Sequence, residues 1–144
     1  MRIDEKTEAE IKAVLEKSFE AYAKKDLDET MKLYVPDADL TVIGSGVDDK
    51  CVGLEQLRER FKRDFNYFES VLPTFKSVLV STAGDIAWFA SDVAVQTKVR
   101  GKEMSFPARL TGVLRRRDGN WLIVQSHLSI PASEQSVEGS FSEI

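Results

Sequence analysis

Residues 116–131 read RRDGNWLIVQSHLSIP. Asp118-Gly119 stands between two strand-like runs, and such a pair suits a two-residue hairpin turn whose central residues need positive φ. KEMSFPARLTGVLRRR (102–117) and NWLIVQSHLSI (120–130) therefore read as antiparallel neighbours. Working backwards, Arg100-Gly101 separates residues 102–117 from IAWFASDVAVQTKV (86–99), and Gly84-Asp85 separates that run from TFKSVLVST (74–82). The second half of the chain is thus a four-strand antiparallel meander. Pro107 has no N–H to give to a ladder, so it predicts a bulge or an edge within its strand.

The first half has a different period. From Thr7 to Lys24, Ile11, Val14, Leu15, Phe19 and Tyr22 recur three and four apart, as on one face of a helix. Thr7 followed by Glu10 reads as its capping box. LDETMKLY (27–34) continues as a short second helix with Leu27, Met31 and Tyr34 on one side, stopped by Pro36. ADLTVIGS (38–45) alternates as a strand, and Gly44 to Gly53 reads as a loop. Leu54 to Phe68 forms a third helix with Leu57, Phe61, Phe65 and Phe68 in one stripe. The charges of ERFKRDF (59–65) read as the solvated face of that helix, with ion pairs of small worth.

With 144 residues, 42% of them hydrophobic, the chain has material for one domain with its own core. We place that domain at residues 1–131 and a polar tail at 132–144. A net charge of -4 argues against nucleic acid as a partner, since phosphate binding needs a basic face. The charged start MRIDEKTEAEIK has no apolar run of membrane-spanning or signal length, so no membrane partner and a cytoplasmic address are expected. One cysteine, Cys51, closes no intrachain disulfide and reads as a semi-buried loop residue. One histidine, His127, with no second His or Cys cluster, predicts no metal site, and nothing points to a cofactor.

Helices first and strands afterwards imply an α+β domain, with three N-terminal helices packed on one side of a curved, mainly antiparallel sheet. Apolar groups occur at both parities of the later strands: Trp88 beside Phe89, Trp121 opposite in parity to Leu128. The helices can cover one face. A second subunit is the simplest cover for the other.

The succession AYAKKDLDETMKLYVPDADLTV (21–42), VGLEQLRERF (52–61) and LTGVLRRRDGNWLIVQSHLSIP (110–131) resembles the nuclear transport factor 2-like superfamily, and most of all its SnoaL-like branch. Lys25 stands where that superfamily usually has glycine. The resemblance runs from about Thr7 to Pro131 and implies a cone-shaped domain with a pocket in the concavity of a strongly bent sheet. It leaves the activity open, because the superfamily holds ketosteroid isomerases, cyclases, dehydratases and a kinase association domain. The isomerase's oxyanion tyrosine, base and second acid fall at Ser18, Val42 and Gly112 (or Thr111), and all three roles are empty. The arginines of the kinase association domain's pocket fall at Ala90, Gly112 and Leu128.

The same matching implies that Val124, Ser126 and Leu128 face the pocket, while Gln125 and His127 point outward with Arg109 toward a homodimer interface. On the strand before, it implies Trp88, Ala90 and Asp92 on the pocket side with Leu110 and Gly112. Ser18, Tyr22, Tyr34 and Val42 complete the expected lining. The expected partner is a small organic molecule, bound or turned over by an isomerase, cyclase or dehydratase. Asp92 is the candidate acid or base, against the simpler reading that it pairs with Arg60 or Arg109. A module that only oligomerises is the third possibility.

Overall fold

A computed structural model describes residues 4–132. Helix α1 (Glu5–Ala23) starts one turn earlier than the capping-box reading requires. Its cap is Asp4, whose carboxylate accepts the Thr7 amide at 2.8 Å and the Thr7 hydroxyl at 2.9 Å. Thr7 therefore serves inside the first turn, because an aspartate three residues before it supplies a stronger acceptor to the free N–H groups. At the other end Lys25 takes φ 56°, and the amides of Lys25 and Asp26 bond back to Tyr22 and Ala21. That closure normally uses glycine. Asp26 then accepts the Glu29 amide at 3.1 Å and caps α2 (Leu27–Met31).

The chain next forms β1 (Thr41–Ile43), β2 (Lys50–Val52), α3 (Leu54–Tyr67), β3 (Ser70–Ala83), β4 (Ile86–Val99), β5 (Lys102–Arg117) and β6 (Asn120–Ser129). Strand β2 lies within the stretch read as a loop, and Cys51 is buried in it. Burial also pushes the Cys51 thiol above its ordinary pKa. The six strands form one sheet in the order β2-β1-β6-β5-β4-β3, antiparallel except for β1 against β6. The turns at Arg100-Gly101 and Asp118-Gly119 have positive φ at both central residues, as hairpins of this length require. Pro107 lies where β5 runs past the end of β6, whose last partner is Arg109. The missing N–H there removes no ladder bond.

Two register shifts bend the sheet, one between Phe75 and Ser77 on β3 and one between Val113 and Leu114, where Val124 of β6 is the extra residue. Helices cover the concave side, with α1 lying against β3 and β6. Ile11 and Leu15 of α1 pack there on Phe89, Leu114, Trp121 and Ile123. A second cluster joins Met31, Val35 and Leu40 to Leu57 and Phe61 of α3. The product is an α+β domain with a curved, unclosed sheet. No helix among the described residues is long and apolar enough to cross a membrane. The polar tail expected at 132–144 lies outside the described residues apart from Ala132.

Candidate functional site

Because the sheet curves away from α1 and α3, side chains from all sides leave a cavity of about 170 Å³ between them. Its walls are mostly apolar: Phe19 from α1, Val71 and Pro73 from β3, Phe89 and Val93 from β4, Leu110 from β5 and Leu128 from β6. Phe19 stacks on Phe75 with ring centroids 4.0 Å apart, which fixes one wall. Cavities of about 150 Å³ with such walls stay dry and accept benzene, so the space here suits a six-membered ring with a substituent.

Polar groups gather at one part of the lining. Tyr22, Tyr34 and Arg60 all face the cavity, and both tyrosine rings pack on Phe61 at 5.7 and 5.9 Å. The Tyr22 hydroxyl donates to Asp64 at 3.0 Å. Arg60, one helical turn before Asp64, donates its Nε–H to the same carboxylate oxygen at 3.2 Å. The other side of the Arg60 guanidinium meets Asp49. All three charged side chains are less than one-fifth exposed, at 17%, 14% and 17% for Arg60, Asp64 and Asp49. A β-carbon at Gly44 would meet the Asp49 carboxylate and the Arg60 guanidinium, so a larger residue there would have to push the pair aside.

These surroundings act on the tyrosines. Burial, then the charge on Asp64, holds the Tyr22 hydroxyl far above the ordinary tyrosine range. Burial pushes Tyr34 up to about 12, and the charge of Arg60 pulls it the other way. The Tyr34 hydroxyl makes no hydrogen bond to another described residue. Ser18 is satisfied within α1, donating to the Leu15 carbonyl at 2.7 Å.

With this geometry in place, residues 11–133 match the SnoaL-like domain family. The chain belongs to that family. Similar solved structures agree on the fold of this SnoaL-like domain. A nuclear transport factor 2-like superfamily protein from Salmonella enterica superimposes with a TM-score of 0.81 at 19% identity, covering 91% of this chain and 95% of that one. A provisionally named dehydratase of the NTF2-like family from Streptomyces avermitilis gives 0.80 at 17% identity, with 87% and 96% covered. A provisionally named aromatic ring hydroxylase from Novosphingobium aromaticivorans gives 0.83 at 16%, with 95% and 98% covered. No curated protein is significantly similar to the chain.

Of the expected lining, the SnoaL-like domain brings Ser18, Tyr22, Tyr34, Val42, Leu110, Ser126 and Leu128 to the cavity. Gly112 also faces inward, but the Phe89 ring lies over it and takes its place on the wall. Trp88, Ala90 and Asp92 are on the opposite, convex face, and this corrects the expected parity of β4. The two-residue turn pairs Val99 with Lys102, so odd-numbered residues of β4 share a face with even-numbered residues of β5. Leu110 and Gly112 inward therefore bring Ser91 and Phe89 inward, and a shift of one residue reverses every side chain. The turn fixes the relation between the two strands, and packing decides which face of the pair turns inward.

Asp92 pairs with Arg109 at 3.9 Å and accepts from Ser77 at 3.0 Å on that exposed face, as the simpler reading had it. Strand β6 needs a second correction. Its bulge at Val124 reverses parity part-way, so Trp121 and Leu128 share the concave side while Val124 stays out of the lining. Gln125, His127 and Arg109 are exposed on the convex side. The third correction concerns ERFKRDF: Arg60 of that run lines the cavity and Asp64 stands largely buried behind it, so their four-residue spacing makes an inward pair instead of a solvated one. Asp49, from the presumed loop, completes the group.

Proposed function

We propose that this SnoaL-like domain binds a small, mainly apolar, ring-sized organic molecule in the cavity between the sheet, α1 and α3. One observation carries the reading: an apolar space of about 170 Å³ has Tyr22, Tyr34 and Arg60 on its wall. An apolar space with a few convergent polar groups is the usual form of a small-molecule site. Native mass spectrometry of the purified protein tests it. A defined added mass that is lost when Leu110→Trp fills the cavity supports the proposal, and an added mass retained in that variant places the ligand elsewhere.

An acid–base enzyme is the second reading, favoured by the two tyrosines on the cavity wall. Asp92, on the other face, takes no part in it. Isomerisation, cyclisation or dehydration of a small cyclic or polyketide-like substrate fits a tyrosine hydroxyl donor in an apolar pocket, the role of Tyr34, since Tyr22 gives its proton to Asp64. Some structural neighbours bear provisional dehydratase and hydroxylase names, and this is compatible with such chemistry.

The protein works as a homodimer through its convex sheet face in this proposal. Leu79 is 77% exposed there and Trp88 39%, and the face continues through Gln125, His127 and Arg109. Large apolar side chains grouped in this way favour burial. A cytoplasmic setting is compatible with a lone, buried Cys51.

A further inference from the structure

The polarity of the hydrogen bonds at the wall of the cavity narrows the ligand class. A carboxylate only accepts hydrogen bonds, so Tyr22 must be the donor toward Asp64 across their 3.0 Å contact. Arg60 donates to the same oxygen at 3.2 Å and forms an ion pair with Asp49 on its other side, so both neighbours of that oxygen treat Asp64 as an acceptor. Asp64 itself does not line the cavity, whereas Tyr22 does. With its proton turned to Asp64, the Tyr22 oxygen offers the cavity lone pairs. Tyr34, also packed on Phe61, has a hydroxyl with no partner among the described residues, so its O–H is available to the cavity. One acceptor and one donor thus face the same apolar space.

A hydroxyl group matches both, since it donates and accepts. A ketone oxygen accepts only and leaves the Tyr22 lone pairs without a donor. An anion gains little, because two carboxylates already hold Arg60. Resting on the reading of the cavity as a ligand site, we infer that this site selects a neutral ring-sized alcohol or phenol over the corresponding ketone, with Tyr22 accepting from the ligand hydroxyl and Tyr34 donating to it.

The test compares cyclohexanol with cyclohexanone, which are matched in size, by amide NMR titration following Ser126 and Leu128. Cyclohexanol should bind roughly fivefold tighter, the scale of one net hydrogen bond. Tyr22→Phe removes the acceptor and should bring the two affinities together. Asp64→Ala releases the Tyr22 proton to the cavity and should raise the ketone to parity or above. A merely structural role for either residue would weaken both compounds alike and leave their ratio unchanged. Equal affinities in the unmodified protein, or a preference for the ketone, overturn the inference while the cavity reading stands. If neither compound moves Ser126 or Leu128, the cavity reading falls too. The unmodified protein alone can decide against the inference, so a variant that fails to fold does not rescue it.

Discussion

Gly112 and the two pocket tyrosines show how much rests on single atoms. A β-carbon at Gly112 would stand 2.6 Å from the Gln125 carbonyl and 2.8 Å from the Phe89 ring. Gly112→Ala should therefore destabilise the fold by about 1–3 kcal/mol, read as a lower urea midpoint at an unchanged slope, since the backbone oxygen cannot move aside. Tyr22 and Tyr34 make a prediction in pH. Both are raised above the ordinary value of 10.0, Tyr34 to about 12, so the folded state keeps protons that the unfolded chain releases. Their contribution is fully present below pH 10 and falls as pH rises toward and beyond 12, by up to about 1.4 kcal/mol per pH unit for each tyrosine. Alkaline unfolding followed by tyrosinate absorbance should show this loss. The Tyr34→Phe variant should show a shallower decline, and an identical pH profile would contradict the burial of that hydroxyl.

Helix α3 illustrates the element scale. Its sequence alternates charges with aromatic residues, and periodicity alone marks Leu57, Phe61 and Phe65 as the inner stripe. Arg60 and Asp64 flank that stripe and turn inward because Tyr22 and Asp49, from two other elements, meet them there. Arg60→Leu would leave the largely buried Asp49 and Asp64 with only the exposed Arg63, 4.0 Å from each, and should cost about 2–4 kcal/mol of stability in chemical unfolding. A change below about 1 kcal/mol would mean that the cluster is solvated like a surface pair. The elements themselves were legible: α3 was expected at 54–68 and runs Leu54–Tyr67, and the three hairpins fall where Gly-Asp, Arg-Gly and Asp-Gly place them. Strand β2 was missed because three residues with one buried side chain carry no period.

For the whole molecule the open question is what covers the convex face. On the proposed homodimer, Trp88→Lys puts a charge into the apolar patch and should shift sedimentation toward the monomer, leaving the cavity on the opposite side intact. An unmoved sedimentation profile would remove this patch from the interface. The same face explains the misreading of β4. Trp88, Ala90 and Asp92 form a plausible pocket row by composition, and so do Phe89, Ser91 and Val93. Apolar side chains at both parities cancel the alternation that normally tells inside from outside.

Local chemistry in the sequence determined the order and type of the elements, the hairpin positions and the α+β class, because turn geometry and hydrophobic period act between near neighbours. Seven of the pocket residues were also legible there through the family's pattern: Ser18, Tyr22, Tyr34, Val42, Leu110, Ser126 and Leu128. The tertiary structure decided which face of β4 turns inward, where the Val124 bulge reverses β6, and that Tyr22, Asp64, Arg60 and Asp49 meet beside the cavity. Those four residues come from α1, α3 and the loop before β2. Their encounter depends on how the elements pack, and no local period along the chain encodes it.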